Sequence, residues 1–279
     1  QFNAWHELKK CSLIVHNGAV VNGLYPYQAL RGPNVRGTYE VLRIASLAQG
    51  RTAVVYVSSI SALCKHVEFA DESRDLTVEG LGIMPGYGAS KRVSELLLMQ
   101  AAQNGLPLAV VRPGTISGHS VTGACNKKDF INKFIAGVLA SKIAPDVTTA
   151  YDMVPVDYVS KGICEIASNL YKTSKSRTYH VYNVEPSMTI SRMCCIIRDT
   201  SIPMMKLLPY EEWCEIIKED QEGALYPLRS YFKGRFPSAL IDVSCKNFES
   251  VVSANGVNCP RVSDDYIIVV AEYLMASRK

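Results

Sequence analysis

Apolar residues along the chain gather in short unbroken runs, separated by longer stretches where they recur every three or four positions. The run Ser12-Leu13-Ile14-Val15-His16 gives way to small and polar residues, Asn17-Gly18-Ala19. A run without alternation reads as a strand of a parallel sheet, buried on both faces. Beyond Pro33, residues Val35, Thr38, Val41, Leu42, Ala45 and Leu47 recur at helical spacing and predict a helix with one apolar side. Ala53-Val54-Val55-Tyr56-Val57 predicts a second strand, closed by Ser58 and Ser59. A long helix is expected over 88–103, stopped at Asn104-Gly105-Leu106-Pro107, where Asn-Gly suits a helix end and proline cannot continue one. Leu108-Ala109-Val110-Val111-Arg112 predicts a third strand, ended by Pro113-Gly114. Helices over 128–141 and 159–171 and a strand over 179–182 follow.

Strands alternating with helices at this pace predict an α/β fold, a Rossmann-like doubly wound parallel sheet with crossover helices. After Met188 the rhythm changes. Helical segments at 210–218 and 264–275 are separated by loops bearing proline and glycine, as in a smaller, mainly helical lobe. The expected division is a sheet core over 1–118, rejoined by 150–185, and a substrate-binding lobe over 119–149 and 186–279.

Composition narrows the class. The 279 residues are 48% hydrophobic and 20% charged, enough to build a full core. A net charge of +4 without a long basic run gives no support for nucleic-acid or membrane-surface binding. No apolar stretch approaches the roughly 18 residues that span a bilayer. The chain opens on Gln1-Phe2-Asn3-Ala4-Trp5, without a secretory leader or an initiator methionine, so a fragment, a processed chain or one piece of a larger polypeptide is expected, with a cytoplasmic location. The nine cysteines are odd in number, scattered and never in Cys-x-x-Cys spacing, which points to reduced thiols and no metal site.

The chemistry concentrates at Tyr87-Gly88-Ala89-Ser90-Lys91, at the start of the long helix. Side chains four apart share one helical face. A phenol titrates near pH 10, and a nearby ammonium favours its phenolate, so the pair can pass a proton near neutrality. The pattern also describes a surface tyrosine beside a solvated lysine, and context decides between them. Ser59 ends a strand upstream, where it can donate to a substrate carbonyl or simply cap a turn. Arg112-Pro113-Gly114-Thr115-Ile116 follows the next strand, and ligands of open α/β sheets bind at such carboxyl ends.

The order of His16-Asn17-Gly18-Ala19, Asn34-Val35-Arg36-Gly37-Thr38, Val57-Ser58-Ser59, the Tyr87–Lys91 pentad and Arg112-Pro113-Gly114 resembles the extended short-chain dehydrogenase/reductases. More narrowly, Gly118-His119-Ser120-Val121-Thr122-Gly123, then Asn126, Asp129-Phe130 and Asp152-Met153-Val154-Pro155-Val156-Asp157, is similar to the thioester reductase domains. Those end nonribosomal peptide synthetases, some polyketide synthases, aminoadipate reductases and carboxylic acid reductases. The resemblance implies Tyr87 as proton donor, Lys91 as its partner and ribose ligand, and Ser59 as the group that orients the carbonyl. It implies that His16, Asn17, Gly18 and Ala19 line the cofactor groove and that Pro113, Gly114, Thr115 and Ile116 face the nicotinamide. The implied reaction is reduction by NADPH of a thioester on the phosphopantetheine arm of an acyl or peptidyl carrier protein, giving an aldehyde or alcohol.

One family element has no counterpart in these residues. A strand, a Gly-x-x-Gly-x-x-Gly turn and a helix N-terminus normally hold the pyrophosphate. The glycines at 80, 82 and 86 have the wrong spacing and lead into Tyr87. The expectation is therefore a sheet lacking its first βαβ unit, with NAD versus NADP not encoded. Two alternatives stay open: a non-redox release domain performing a Dieckmann-type cyclisation, and a non-catalytic docking module.

Other candidates are weaker. His119 either touches substrate or hydrogen-bonds locally. Asp152 and Asp157 are expected to fix a loop and a helix start. Glu211, Glu212, Glu219 and Asp220 read as solvated. There is no Gly-x-Ser-x-Gly elbow of a hydrolytic thioesterase.

Overall fold

The computed structural model describes residues 10–48, 50–63, 69–73, 76–183, 188–237 and 242–277. In chain order these form β1 (Leu13–His16), α1 (Tyr27–Leu30), a π-helical turn (Arg31–Arg36), α2 (Gly37–Leu47), β2 (Ala53–Val57) and β3 (Phe69–Ala70). Next come α3 (Gly86–Gln103), β4 (Leu108–Pro113), β5 (Ile116–Ser117), α4 (Phe130–Ser141), β6 (Ile143–Asp146), β7 (Val154–Pro155), α5 (Val156–Thr173) and β8 (Arg177–Val181). The chain continues through α6 (Ile190–Ser201), β9 (Lys206–Pro209), α7 (Tyr210–Glu219), β10 (Asp242–Val243), α8 (Lys246–Ser253) and α9 (Asp264–Ala276).

Two compact units emerge. The first comprises 1–114, 160–182 and 241–258. Its centre is a parallel sheet in the order β1-β2-β4-β8. Every residue of β2 and β4 is buried, as their unbroken apolar runs require. On one face Ile14, Val54, Tyr56, Leu108 and Val110 pack with Val41, Leu42, Ala45, Leu98 and Ala102 of α2 and α3. The α/β class with a parallel sheet is as the sequence predicted.

Several boundaries differ; the helices expected over 128–141 and 159–171, for example, run over Phe130–Ser141 and Val156–Thr173. The helix expected after Pro33 begins at Tyr27 and passes through the proline as a π-helical turn. Proline has no N–H for the i→i−4 ladder, and the wider π turn absorbs that gap. The last strand starts earlier, at Arg177, because Ala109 and Val110 of β4 pair with Arg177 and Thr178. The long helix starts at Gly86.

The second unit comprises 115–159, 183–240 and 259–279. It is mainly helical, with the short parallel pairs β5–β7 and β6–β9. Its core is aromatic, with Phe134, Trp213, Phe232 and Phe236 almost fully buried. Phe134 meets Phe236 edge-on at 5.1 Å and Trp213 meets Phe232 at 4.7 Å, geometries that suit ring quadrupoles.

The units divide the chain differently from the sequence expectation. Residues 115–118 and 150–159 group with the helical unit, because the β5–β7 pair joins Ile116 to Val154. Residues 241–258 return to the sheet unit, because β10 pairs with β3 and α8 packs on β8. Neither link is written in local periodicity.

Candidate active site

Parallel register aligns the carboxyl ends of the central strands: His16 sits opposite Tyr56, and Tyr56 opposite Val110. Into this end runs the N-terminal half of α3, whose buried face is unusually polar. Ser90, Lys91, Arg92, Ser94 and Glu95 are all buried. The Lys91 ammonium donates to the carbonyl oxygen of Val57 at 2.8 Å and lies 4.9 Å from the Tyr56 ring centre. Burial lowers its pKa to about 8, and the charge of Glu95 works the other way. Tyr87 stands one turn earlier on the same face and is half-buried.

Gly88 explains how the helix comes so near the strand end. A Cβ there would sit 2.3 Å from the carbonyl oxygen of Ser61. Ser61 belongs to the 3-10 turn Ile60–Ala62, whose cap is Ser59. The Ser59 hydroxyl oxygen accepts from Ser61 N at 3.1 Å. That bond occupies a lone pair and leaves the hydroxyl hydrogen for a substrate oxygen. The capping role and the proposed orienting role are thus compatible in one side chain.

On the neighbouring strand, His16 bonds through Nε2 to the Thr38 hydroxyl at 3.2 Å, and that hydroxyl donates to Asn34 O at 2.8 Å. Nε2 of His16 is therefore the donor. Burial, then the charge of Lys91, lowers the His16 pKa and keeps the ring neutral. Asn17, Gly18 and Ala19 run from β1 without regular structure, and a Cβ on Gly18 would meet only the His16 ring, no closer than 3.8 Å. Asn34 fixes this segment: its amide donates to Val20 O at 3.1 Å and Ser90 Oγ at 3.0 Å, and its oxygen accepts from Val20 N at 2.8 Å. Pro113 ends β4, and Gly114 N donates to Val181 O at 2.8 Å.

The sheet unit thus brings together Ser59, Tyr87, Lys91 and His16, with Asn17–Ala19, Pro113 and Gly114 at the same strand ends. A nicotinamide nucleotide fits this donor set. The open stretch without side-chain bulk at Gly18 leaves room for a nicotinamide riboside, and the buried Lys91 ammonium could donate to its ribose hydroxyls.

Thr115, Ile116 and His119 belong to the helical unit. There Asp152 accepts from Thr115 N through Oδ2 and from Asn183 N through Oδ1, each at 2.9 Å. Burial pushes its pKa up to about 7 against those two bonds. Nδ1 of His119 accepts from Val121 N at 3.1 Å, which closes its own turn. Asp157 accepts from Ser120 N and Ser120 Oγ, both at 2.8 Å. Asp152 and Asp157 both hold loops here. Gly123, at φ 68°, sits where a Cβ would be 2.2 Å from Val269 O, so α9 packs directly on this turn.

Sequence reasoning quoted Asn34 within a motif but gave it no role, and it missed Glu95 and the burial of Arg112. A polar residue within a helical run was the available signal for Asn34. Among the described residues no cluster of His, Cys, Asp and Glu has metal-binding geometry, and no helix is long and apolar enough to cross a membrane.

Residues 2–163 match the family model of NAD-binding domains described as male sterility protein, more than half of the chain. The chain belongs to this family. The large subunit of L-2-aminoadipate reductase from Eremothecium gossypii is 32% identical over 244 residues, 81% of this chain and 17% of that protein. A linear gramicidin synthase from Brevibacillus parabrevis is 31% identical over 275 residues, 94% of this chain and 5% of that protein. The chain spans less than a fifth of the length of these two relatives. The crystal structure of the terminal R domain from the myxalamid PKS-NRPS pathway superposes with a TM-score of 0.84 at 30% identity, covering 99% of this chain and 71% of that one. The relatives are a reductase, a gramicidin synthase and a terminal R domain, in keeping with the family anticipated from the order of the motifs.

Proposed function

We propose that this chain acts as a terminal thioester reductase domain, taking an acyl or peptidyl thioester from a carrier protein and releasing it as an aldehyde or alcohol. The observation that carries the reading is the Lys91 ammonium, buried one turn from Tyr87 and bonded to the strand end that bears Ser59. NADPH, which His16–Ala19, Lys91, Pro113 and Gly114 would hold, would supply the hydride. Ser59 donates to the thioester oxygen and orients the carbonyl. Tyr87 gives that oxygen a proton as the carbonyl carbon is reduced, and Lys91 stabilises the phenolate left behind. Collapse of the resulting hemithioacetal breaks the C–S bond. The carrier thiol takes the hydroxyl proton and the aldehyde leaves.

The relatives' names include reductases and a gramicidin synthase, which supports a carrier-linked substrate. A second reading uses Tyr87 and Lys91 only as an acid–base pair, cyclising the carrier-bound substrate without redox chemistry. The two separate in one experiment on the full-length protein. NADPH is titrated by nicotinamide fluorescence, and a carrier-bound thioester is then incubated with and without NADPH. Saturable binding and aldehyde formed only with NADPH are expected; no binding, or release without NADPH, overturns the reductase reading. Tyr87→Phe is expected to slow reduction about 10²–10⁴-fold, and unchanged product release would point to a docking module.

A further inference from the structure

The buried polar network beneath the candidate site has a geometry that its ion pair alone does not explain. Glu95 lies one turn beyond Lys91 on α3, with no exposed side-chain surface. Its two oxygens accept three hydrogen bonds from the Arg112 guanidinium of β4, the shortest at 2.7 Å. One of those oxygens, Oε1, also accepts from the Ser58 hydroxyl. Ser58 stands between Val57, whose carbonyl receives Lys91, and Ser59. Its backbone N–H donates to Val111 O at 2.7 Å.

Arg112 is itself held from behind. Its Nη1 donates to His180 Nε2 at 3.1 Å, which makes Nδ1 the protonated nitrogen, and Nδ1 donates to Ser244 O at 3.1 Å. Burial and the Arg112 charge lower the His180 pKa to about 4, so the ring adds no charge. The pair Glu95–Arg112 is thus balanced, and Glu95 is the carboxylate whose charge reaches Lys91. The other groups facing Lys91 are His16 on β1, Tyr56 on β2 and Tyr87 on its own helix.

We propose that Glu95 is a positioning residue for the Tyr87/Lys91 pair, stapling α3 to the strand end 57–59 and keeping Lys91 cationic inside the protein. A buried ion pair is a poor device for stability alone, since an apolar pair of similar volume is often as good. Here one carboxylate fixes both the strand end that bears Ser59 and the charge state of the lysine. The inference rests on Tyr87 and Lys91 being the acid–base pair, and the first arm of its test needs neither substrate nor NADPH.

The test is titration of Lys91 by NMR in protein labelled with ¹³C at the lysine ε-carbon, its signal assigned with Lys91→Arg. Glu95→Gln is expected to lower the Lys91 pKa by about 1 unit or more, and Glu95→Asp to restore most of it. If Glu95→Gln does not fold, because Arg112 is left buried without its partner, Glu95→Gln/Arg112→Met removes both charges together. A smaller downward shift is expected there, because the Arg112 charge that opposes the Lys91 ammonium is removed with Glu95. A Lys91 titration unchanged from wild type in whichever of these variants folds would overturn the proposal. Ser58→Ala gives the second arm in the full-length reductase: kcat falls while KM for NADPH holds. Equal losses in both would mark Ser58 as general packing and overturn the staple.

Discussion

Asp152 shows how one carboxyl can hold a site and tie it to pH. Both of its oxygens are committed to backbone N–H groups, yet burial raises its pKa to about 7. In the unfolded chain an aspartate titrates near 3.9. The folded state therefore binds more protons than the unfolded state between those values, and stability falls as pH rises through that window. The contribution is complete below about pH 4 and is lost as pH passes 7. Melting temperature measured from pH 5 to pH 8 is expected to decline in wild type and to be flatter in Asp152→Asn. The neighbouring chemistry follows the same logic of environment over residue type: Tyr-x-x-x-Lys named the pair, but the lysine's burial is what moves it towards neutrality.

At the level of the element, α3 is a helix selected for contact rather than propensity. Its N-terminal turn carries two glycines, Gly86 and Gly88, which host–guest scales rank poorly. Gly88 is there because Ser61 O occupies the space of a side chain. Gly88→Ala must push α3 away from the 3-10 turn, and a cost of about 1–3 kcal/mol is expected for such overpacking. Chemical denaturation measures it, and activity should fall further than stability does, since the shift separates Tyr87 from Ser59. The π-helical turn through Pro33 makes the same point. The sequence placed a helix after the proline. What it did not contain was the reason to keep the helix wound through it: Asn34 inside that turn reaches Val20 and Ser90, far apart in the chain.

Across the whole molecule, the sheet unit is closed by a segment that arrives very late. Glu72 accepts from His180 N at 2.9 Å, Asn247 N at 2.6 Å and Phe248 N at 3.2 Å, so one buried carboxylate joins three separate stretches of chain. Gly162 meets Phe248 in the same region, where a Cβ would lie 2.2 Å from the ring. Glu72→Ala strands three backbone donors. A loss on the order of 3 kcal/mol is expected, read from urea unfolding, with hydrogen exchange faster at 247 and 248 as the local signature. A change below a few tenths of a kcal/mol would mean that water replaces the carboxylate.

The strands, the pentad and the family were legible from the residues alone. Those depend on short-range facts: an unbroken apolar run needs burial on both faces, and an i, i+4 pair needs only a helix. Parallel β2 and β4 could be read residue by residue for that reason. Folding decided that residues 241–258 complete the first unit, that His119 closes its own turn, and that Glu95 and Arg112 lie beneath the pair. The first and the last rest on contacts between residues far apart in the chain, and the turn at His119 on a conformation that no spacing encodes. A buried Glu95 and a solvated one look identical in a sequence, because the difference is the desolvation that only a folded neighbour imposes.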